Sequence, residues 1–142
     1  MEESFHYQLM SSHINLQKQL FASLKHTGLT SGQPKILDYL QEHNGATQKD
    51  IALACHIEAA SLTSILSGME KKGMIERKAL NGNRRSLHVF LTEKGWSLQK
   101  EVAQKFTSLE ELAFSGFSAE QRETFNEMFR LVYENLTAHN EK

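Results

Sequence analysis

One cysteine, Cys55, and one proline, Pro34, occur in 142 residues. A lone thiol excludes an internal disulfide framework and suits a reducing compartment. With no Pro/Gly/Ser-rich stretch, repeat or low-complexity tract, flexible linkers and repeat arrays are excluded as well. No uninterrupted apolar run approaches the roughly 18 residues of a membrane span. The first ten residues, MEESFHYQLM, are acidic and lack the basic-then-apolar order of a signal peptide. A cytoplasmic location without a membrane partner is therefore expected. GxSxG, phosphate-loop, dinucleotide and zinc-protease signatures are missing, so no catalytic role is expected. Seven histidines are present, yet His6 and His13 form no HxxxH or HExxH element and have no Cys or carboxylate at ligand spacing. No metal or cofactor is expected.

What is present is an ordinary folded composition, 39% apolar and 23% charged, in a chain long enough for one domain with a core. The net charge of −1 conceals a division. Residues 45–100 hold nine Lys/Arg against five Asp/Glu, whereas residues 101–142 hold four against eight. A basic centre between acidic arms points to a local face for a polyanion.

Apolar periodicity orders the chain. Phe5, Leu9, Met10, Ile14, Leu20, Phe21 and Leu24 recur at helical spacing over about 4–26, and Gly28 follows as a stop. Thr30-Ser31-Gly32-Gln33 has the form of a capping box for a second helix through Ile36, Leu37 and Leu40, with Pro34 in its first turn. Asn44-Gly45 closes it. Thr47 caps a third helix with Ile51, Ala52 and Cys55 inward; a short turn at 55–58 leads to a fourth, capped helix carrying Leu62, Ile65, Leu66 and Met69. The period then changes to alternation in 74–78 and 87–91, and Asn81-Gly82 supplies the positive φ angles of a tight hairpin. Thr92 opens a long fifth helix with Trp96, Val102, Phe106, Leu109 and Leu112. The Ser118-Ala119-Glu120-Gln121 box opens a sixth with Phe125, Met128, Phe129, Val132 and Leu136.

The fold class expected is mainly α with a small β-hairpin: a winged helix-turn-helix core over about 30–95, flanked by dimerisation helices over about 4–27 and 96–138, in a single domain. A helix sized for the major groove beside a basic hairpin sized for the minor groove is equipment for reading DNA. The apolar faces of the terminal helices either fold back or pair with another chain, and pairing is favoured because two half-sites give useful affinity.

LTSGQPKILDYL, ATQKDIALACHIEAASLTSILSGMEKKGMIERK and RRSLHVFLTEKG, in that order between Leu29 and about Val102, resemble the multiple-antibiotic-resistance regulator (MarR) family of bacterial transcription factors. The resemblance implies a homodimer that binds pseudo-palindromic double-stranded DNA and is released by a small ligand, an oxidant or occasionally a metal. It places Ala59, Ala60, Ser61, Thr63 and Ser64 at the exposed start of the recognition helix, where the hydroxyls can bond base edges or phosphates. Gln48 and Lys49 would meet backbone phosphate with the amides of their helix. Arg84 and Arg85 would form the wing tip, Arg85 entering the minor groove; edge protection of the hairpin is the alternative. Lys71, Lys72, Arg77 and Lys78 read either as phosphate clamps or as a solvated helix end.

Two departures stand out. Asn83 replaces the usual wing aspartate and cannot form its ion pair with the arginine. The recognition helix also has no Lys or Arg before Lys71. Specificity is then expected from the wing and from DNA shape, favouring A/T-rich operators with narrow minor grooves. A small aromatic or apolar effector is expected between the flanking helices and the winged domain, near Phe21, Tyr39 and Trp96 with His13 or His26. Cys55 reads as a small buried hydrophobe, since the family's peroxide-sensing thiols lie on the first helix. The expected function is a ligand-responsive repressor. The alternatives are a winged-helix protein-interaction module that lacks DNA binding, and a thiol- or metal-sensing regulator on the same scaffold.

Overall fold

The computed structural model describes residues 1–83 and 85–140. Among these residues, six α-helices and one hairpin run in the order α1 (Phe5–Ser23), α2 (Gln33–His43), α3 (Gln48–Cys55), α4 (Ala59–Lys71), β1 (Ile75–Ala79), β2 (Leu87–Leu91), α5 (Glu93–Ala113) and α6 (Ala119–Ala138). Among the described residues, no single helix is long and apolar enough to cross a membrane. Contacts divide the chain into Met1–Leu109 and Glu110–Lys142, so the division falls within α5.

In the first unit, Thr47 starts α3 as its sequence requires, its hydroxyl accepting the Asp50 N–H at 3.1 Å, a cap worth about 1 kcal/mol. Entry to α2 differs from the Thr30 box. Gly32, in the left-handed region at φ 86°, is the N-cap, and no side chain caps the helix. Only half of the expected box forms: the Thr30 N–H donates to Gln33 Oε1 at 3.0 Å. The glycine turn moves the start to Gln33 and puts Pro34 in the first turn, where its missing N–H costs nothing. The α-helical part of α1 ends at Ser23, short of 26; a single 3-10 turn, Lys25–Thr27, leads to Gly28. Glu58 stands at the α4 N-cap without a side-chain cap bond, so the cap expected there is absent.

α3 and α4 are joined through His56, which takes φ 55° and donates its N–H to the carbonyls of Ala52 and Leu53. Leu62, Leu66 and Met69 bury one face of α4 against a core that includes Ile36, Leu37, Leu40, Ile51, Val89 and Val102. The hairpin pairs antiparallel, with Arg77 opposite Val89, and Asn81 and Gly82 take the positive φ values expected at its turn. β2 is held on its other side too. Gly45 N–H donates to Val89 O and Val89 N–H to Ala46 O, Thr47 bridges His88, and Leu91 N–H donates to Asn44 Oδ1 at 2.8 Å.

The second unit holds the α5 C-terminus and α6. Ser118 and Gln121 complete a reciprocal capping box. Phe114, Phe117 and Phe125 meet edge-on, and Phe129 stacks on Phe125 at 5.7 Å. Arg122 lies over Phe114 and reaches Glu110 and Glu111.

Candidate nucleic-acid interface

The first two turns of α4 present a polar, uncharged surface. Ala59, Ala60, Ser61, Thr63 and Ser64 are all exposed, because Leu62 and Leu66 consume the opposite face. The Thr63 hydroxyl donates back to Ala59 O at 3.1 Å, leaving its lone pairs toward solvent. At the start of α3, Lys49 is exposed and Gln48 half-buried.

The wing tip is organised by the residue that departs from the family pattern. Asn83 Oδ1 accepts the backbone N–H of Arg85 at 3.0 Å, a local turn that asparagine forms as readily as aspartate. Arg85 is exposed. Arg84 falls outside the described residues.

The basic residues between α4 and β1 have different fates. Lys71 is exposed. Lys72 donates to Gly28 O at 3.1 Å. Lys78 lies 3.6 Å from Glu76 and 5.2 Å from the centre of the Phe90 ring. Arg77 is committed within the protein: Nε and Nη2 donate to Glu70 Oε1 at 3.1 and 2.8 Å, Nη2 also to Ser67 Oγ, and Nη1 to Gln48 Oε1. The hydrogen bonds from the Arg77 side chain hold the Glu70 carboxyl below its usual range, against a smaller opposing effect of burial. Sequence reasoning missed this network. Its signal was parity, since Arg77 sits between Ile75 and Ala79 on the inward side of an alternating strand.

A cavity of about 500 Å³ opens between α1, the entry to α2, and α5, with His13, Gln17, Phe21, Lys35 and Phe106 in its wall. His13 and Phe21 were expected there. His26, Tyr39 and Trp96 are not in it. His26 Nε2 lies 2.6 Å from Glu101, Tyr39 stacks on His43 with ring centres 4.2 Å apart, and Trp96 packs on the central core. Gln17 follows His13 by one helical turn, a spacing that would have found it.

Cys55 is buried, its Sγ 3.7 Å from Lys35 O. Burial raises its pKa; Lys35 opposes that and Asp38 adds to it. No cysteine lies on α1. Among the described residues, no group of three His, Cys, Asp or Glu is placed to hold a metal ion.

The MarR family model matches residues 29–87. The organic hydroperoxide resistance transcriptional regulator of Bacillus subtilis (strain 168) is 32% identical over 103 residues, 72% of this chain and 69% of that one. The transcriptional repressor MprA of Escherichia coli (strain K12) is 27% identical over 96 residues, 68% of this chain and 54% of that one. Among solved structures, a putative MarR family regulator from Listeria monocytogenes complexed with 26mer DNA superposes with a TM-score of 0.88, covering 99% of this chain and 98% of the other at 20% identity.

Proposed function

The chain belongs to the MarR family of transcriptional regulators, and on that premise we propose that it is a cytoplasmic, homodimeric repressor that binds a pseudo-palindromic DNA operator and is released by a small effector. One observation carries the reading. The exposed start of α4 and the Arg85-bearing wing lie in one compact unit, in which β2 is bonded to β1 on one side and to the α2–α3 connection on the other. A major-groove helix and a minor-groove probe are thereby held in fixed relation.

In this reading Ser61, Thr63 and Ser64 bond base edges or phosphates, with Ala60 packed beside them. Gln48 and Lys49 meet phosphate at the α3 N-terminus, and Arg84 and Arg85 enter the minor groove. Two copies would place their α4 helices in successive major grooves roughly 34–36 Å apart. Pairing is supported by exposed apolar side chains on α1 (Phe5, Met10, Ile14) and, separately, on α6 (Met128, Leu131, Leu136). The cavity beside Phe21 and Phe106, with His13 and Lys35 in its wall, suits an aromatic molecule carrying an anionic group. Such an effector acts by binding more tightly to a dimer whose half-site spacing is wrong for DNA.

A mobility-shift titration against the duplex immediately upstream of its own coding sequence, at several salt concentrations, tests the reading. Binding should weaken steeply with salt, and Arg85→Ala should cost at least about tenfold, with the salt slope reduced by about 0.9. A wild-type protein indifferent to every duplex would instead support the protein-interaction alternative, which the uncharged face of α4 favours.

A further inference from the structure

The wing hairpin turns alternate side chains toward α4. Ile75 is buried and Ala79 half-buried, while Glu76 and Lys78 are exposed, so Arg77 occupies an inward position and only 16% of its side chain is exposed. A guanidinium placed there requires compensation, and Glu70 on the last turns of α4 provides it. The carboxylate is used on both oxygens by one residue: Oε1 accepts from the Arg77 side chain and Oε2 from the Arg77 backbone N–H at 3.2 Å. The same guanidinium reaches Gln48 Oε1 at 3.4 Å and Ser67 Oγ at 3.2 Å. One side chain thus joins β1, α4 and the N-terminus of α3.

A phosphate clamp must offer positive charge that no neighbouring carboxylate cancels. Arg77 does not. We propose that Arg77 is a positioning residue, which fixes Gln48 with its amide N–H groups available to a phosphate and locks the reading helix to the wing. The chemistry is directional: a phosphate oxygen only accepts, so a bond that holds the glutamine oxygen fixes which end of the amide is left to donate. Arg77 makes that bond. The proposal deepens the DNA-binding reading and rests on it, but the network itself stands on geometry that can be tested without DNA.

The experiment uses the full chain and the same upstream duplex, with Arg77→Ala, Glu70→Gln, the double variant and Arg85→Ala titrated at several salt concentrations. Arg77→Ala and Glu70→Gln should each weaken binding at least about fivefold while keeping the wild-type salt slope. The double variant should bind no more weakly than the weaker single variant. Arg77→Ala should also cost less in a Gln48→Ala background than in the wild type. A direct phosphate contact predicts the opposite pattern: the Arg77→Ala slope falls by about 0.9, and Glu70→Gln, which removes a negative charge near the duplex, leaves affinity unchanged or raised. That pattern, or an Arg77→Ala cost indifferent to Gln48, overturns the proposal. If the wild type binds no duplex, the DNA reading fails by itself, and the network is judged by urea unfolding of the same four-protein cycle. Coupling of at least about threefold in the unfolding constant upholds Arg77 as the tie between α4 and the wing, and its absence removes that role.

Discussion

A Cβ on Gly95 would overlap the backbone carbonyl oxygen of Met74. The first turn of α5 therefore lies directly against the chain entering the wing, and Thr92 closes the same junction by donating its hydroxyl to Gly73 O at 2.6 Å. Because the obstacle is backbone rather than a flexible side chain, Gly95→Ala must push α5 away from the hairpin. The expected cost is about 1–3 kcal/mol, read as a lower urea midpoint with an unchanged slope. A stability within about 0.5 kcal/mol of wild type would show that the junction yields freely.

The turn between α3 and α4 carries a histidine where the backbone favours glycine. His56 has φ 55°, and a left-handed conformation costs an ordinary residue roughly 1–2 kcal/mol, partly offset by the greater chain entropy glycine loses on folding. His56→Gly should raise stability by about 0.5–1 kcal/mol. A loss of stability on thermal unfolding would mean that the imidazole makes a compensating contribution.

Cys55 should behave as packing rather than as a sensor. Its burial and raised pKa leave less thiolate at neutral pH than an exposed cysteine would have. Labelling by a thiol reagent should be slow in the native protein and become fast only on unfolding, and mild peroxide should leave DNA binding intact. Rapid native labelling together with peroxide-dependent release would reverse that assignment.

The apolar side chains of α6 give a test of self-association. Leu131 and Leu136 are 60% and 58% exposed, far more than their hydrophobicity would favour in an isolated chain. Leu131→Glu with Leu136→Glu should shift the protein toward a monomer in sedimentation and weaken duplex binding by more than tenfold. A wild-type monomer, or a variant that remains dimeric, would exclude this face as the interface.

Legibility in the sequence followed the range of the interactions involved. Thr47 and the Ser118–Gln121 box depend on residues three apart, and both helix starts form where their sequences place them. Thr30 offered the same local pattern and failed, because Gly32 could adopt a positive φ and start the helix two residues later. The alternation around Ile75 and Val89 and the turn at Asn81-Gly82 gave the hairpin. Partners distant in sequence were not readable. Arg77 meets Gln48 across 29 positions and His26 meets Glu101 across 75, pairs that no local pattern announces. The cavity proposed for an effector divides likewise: His13 and Phe21 come to its wall from α1 alone, whereas Lys35 and Phe106 reach it only once α2 and α5 are in place.

The bonds of Asn44, Gly45 and Ala46 to β2 have a mechanical consequence. With β2 bonded on both of its edges, the base of the hairpin resists swinging to follow a groove. A duplex whose two grooves are offset unsuitably must bend or twist to be accepted, and the stiffness of the nucleic acid becomes part of what is discriminated.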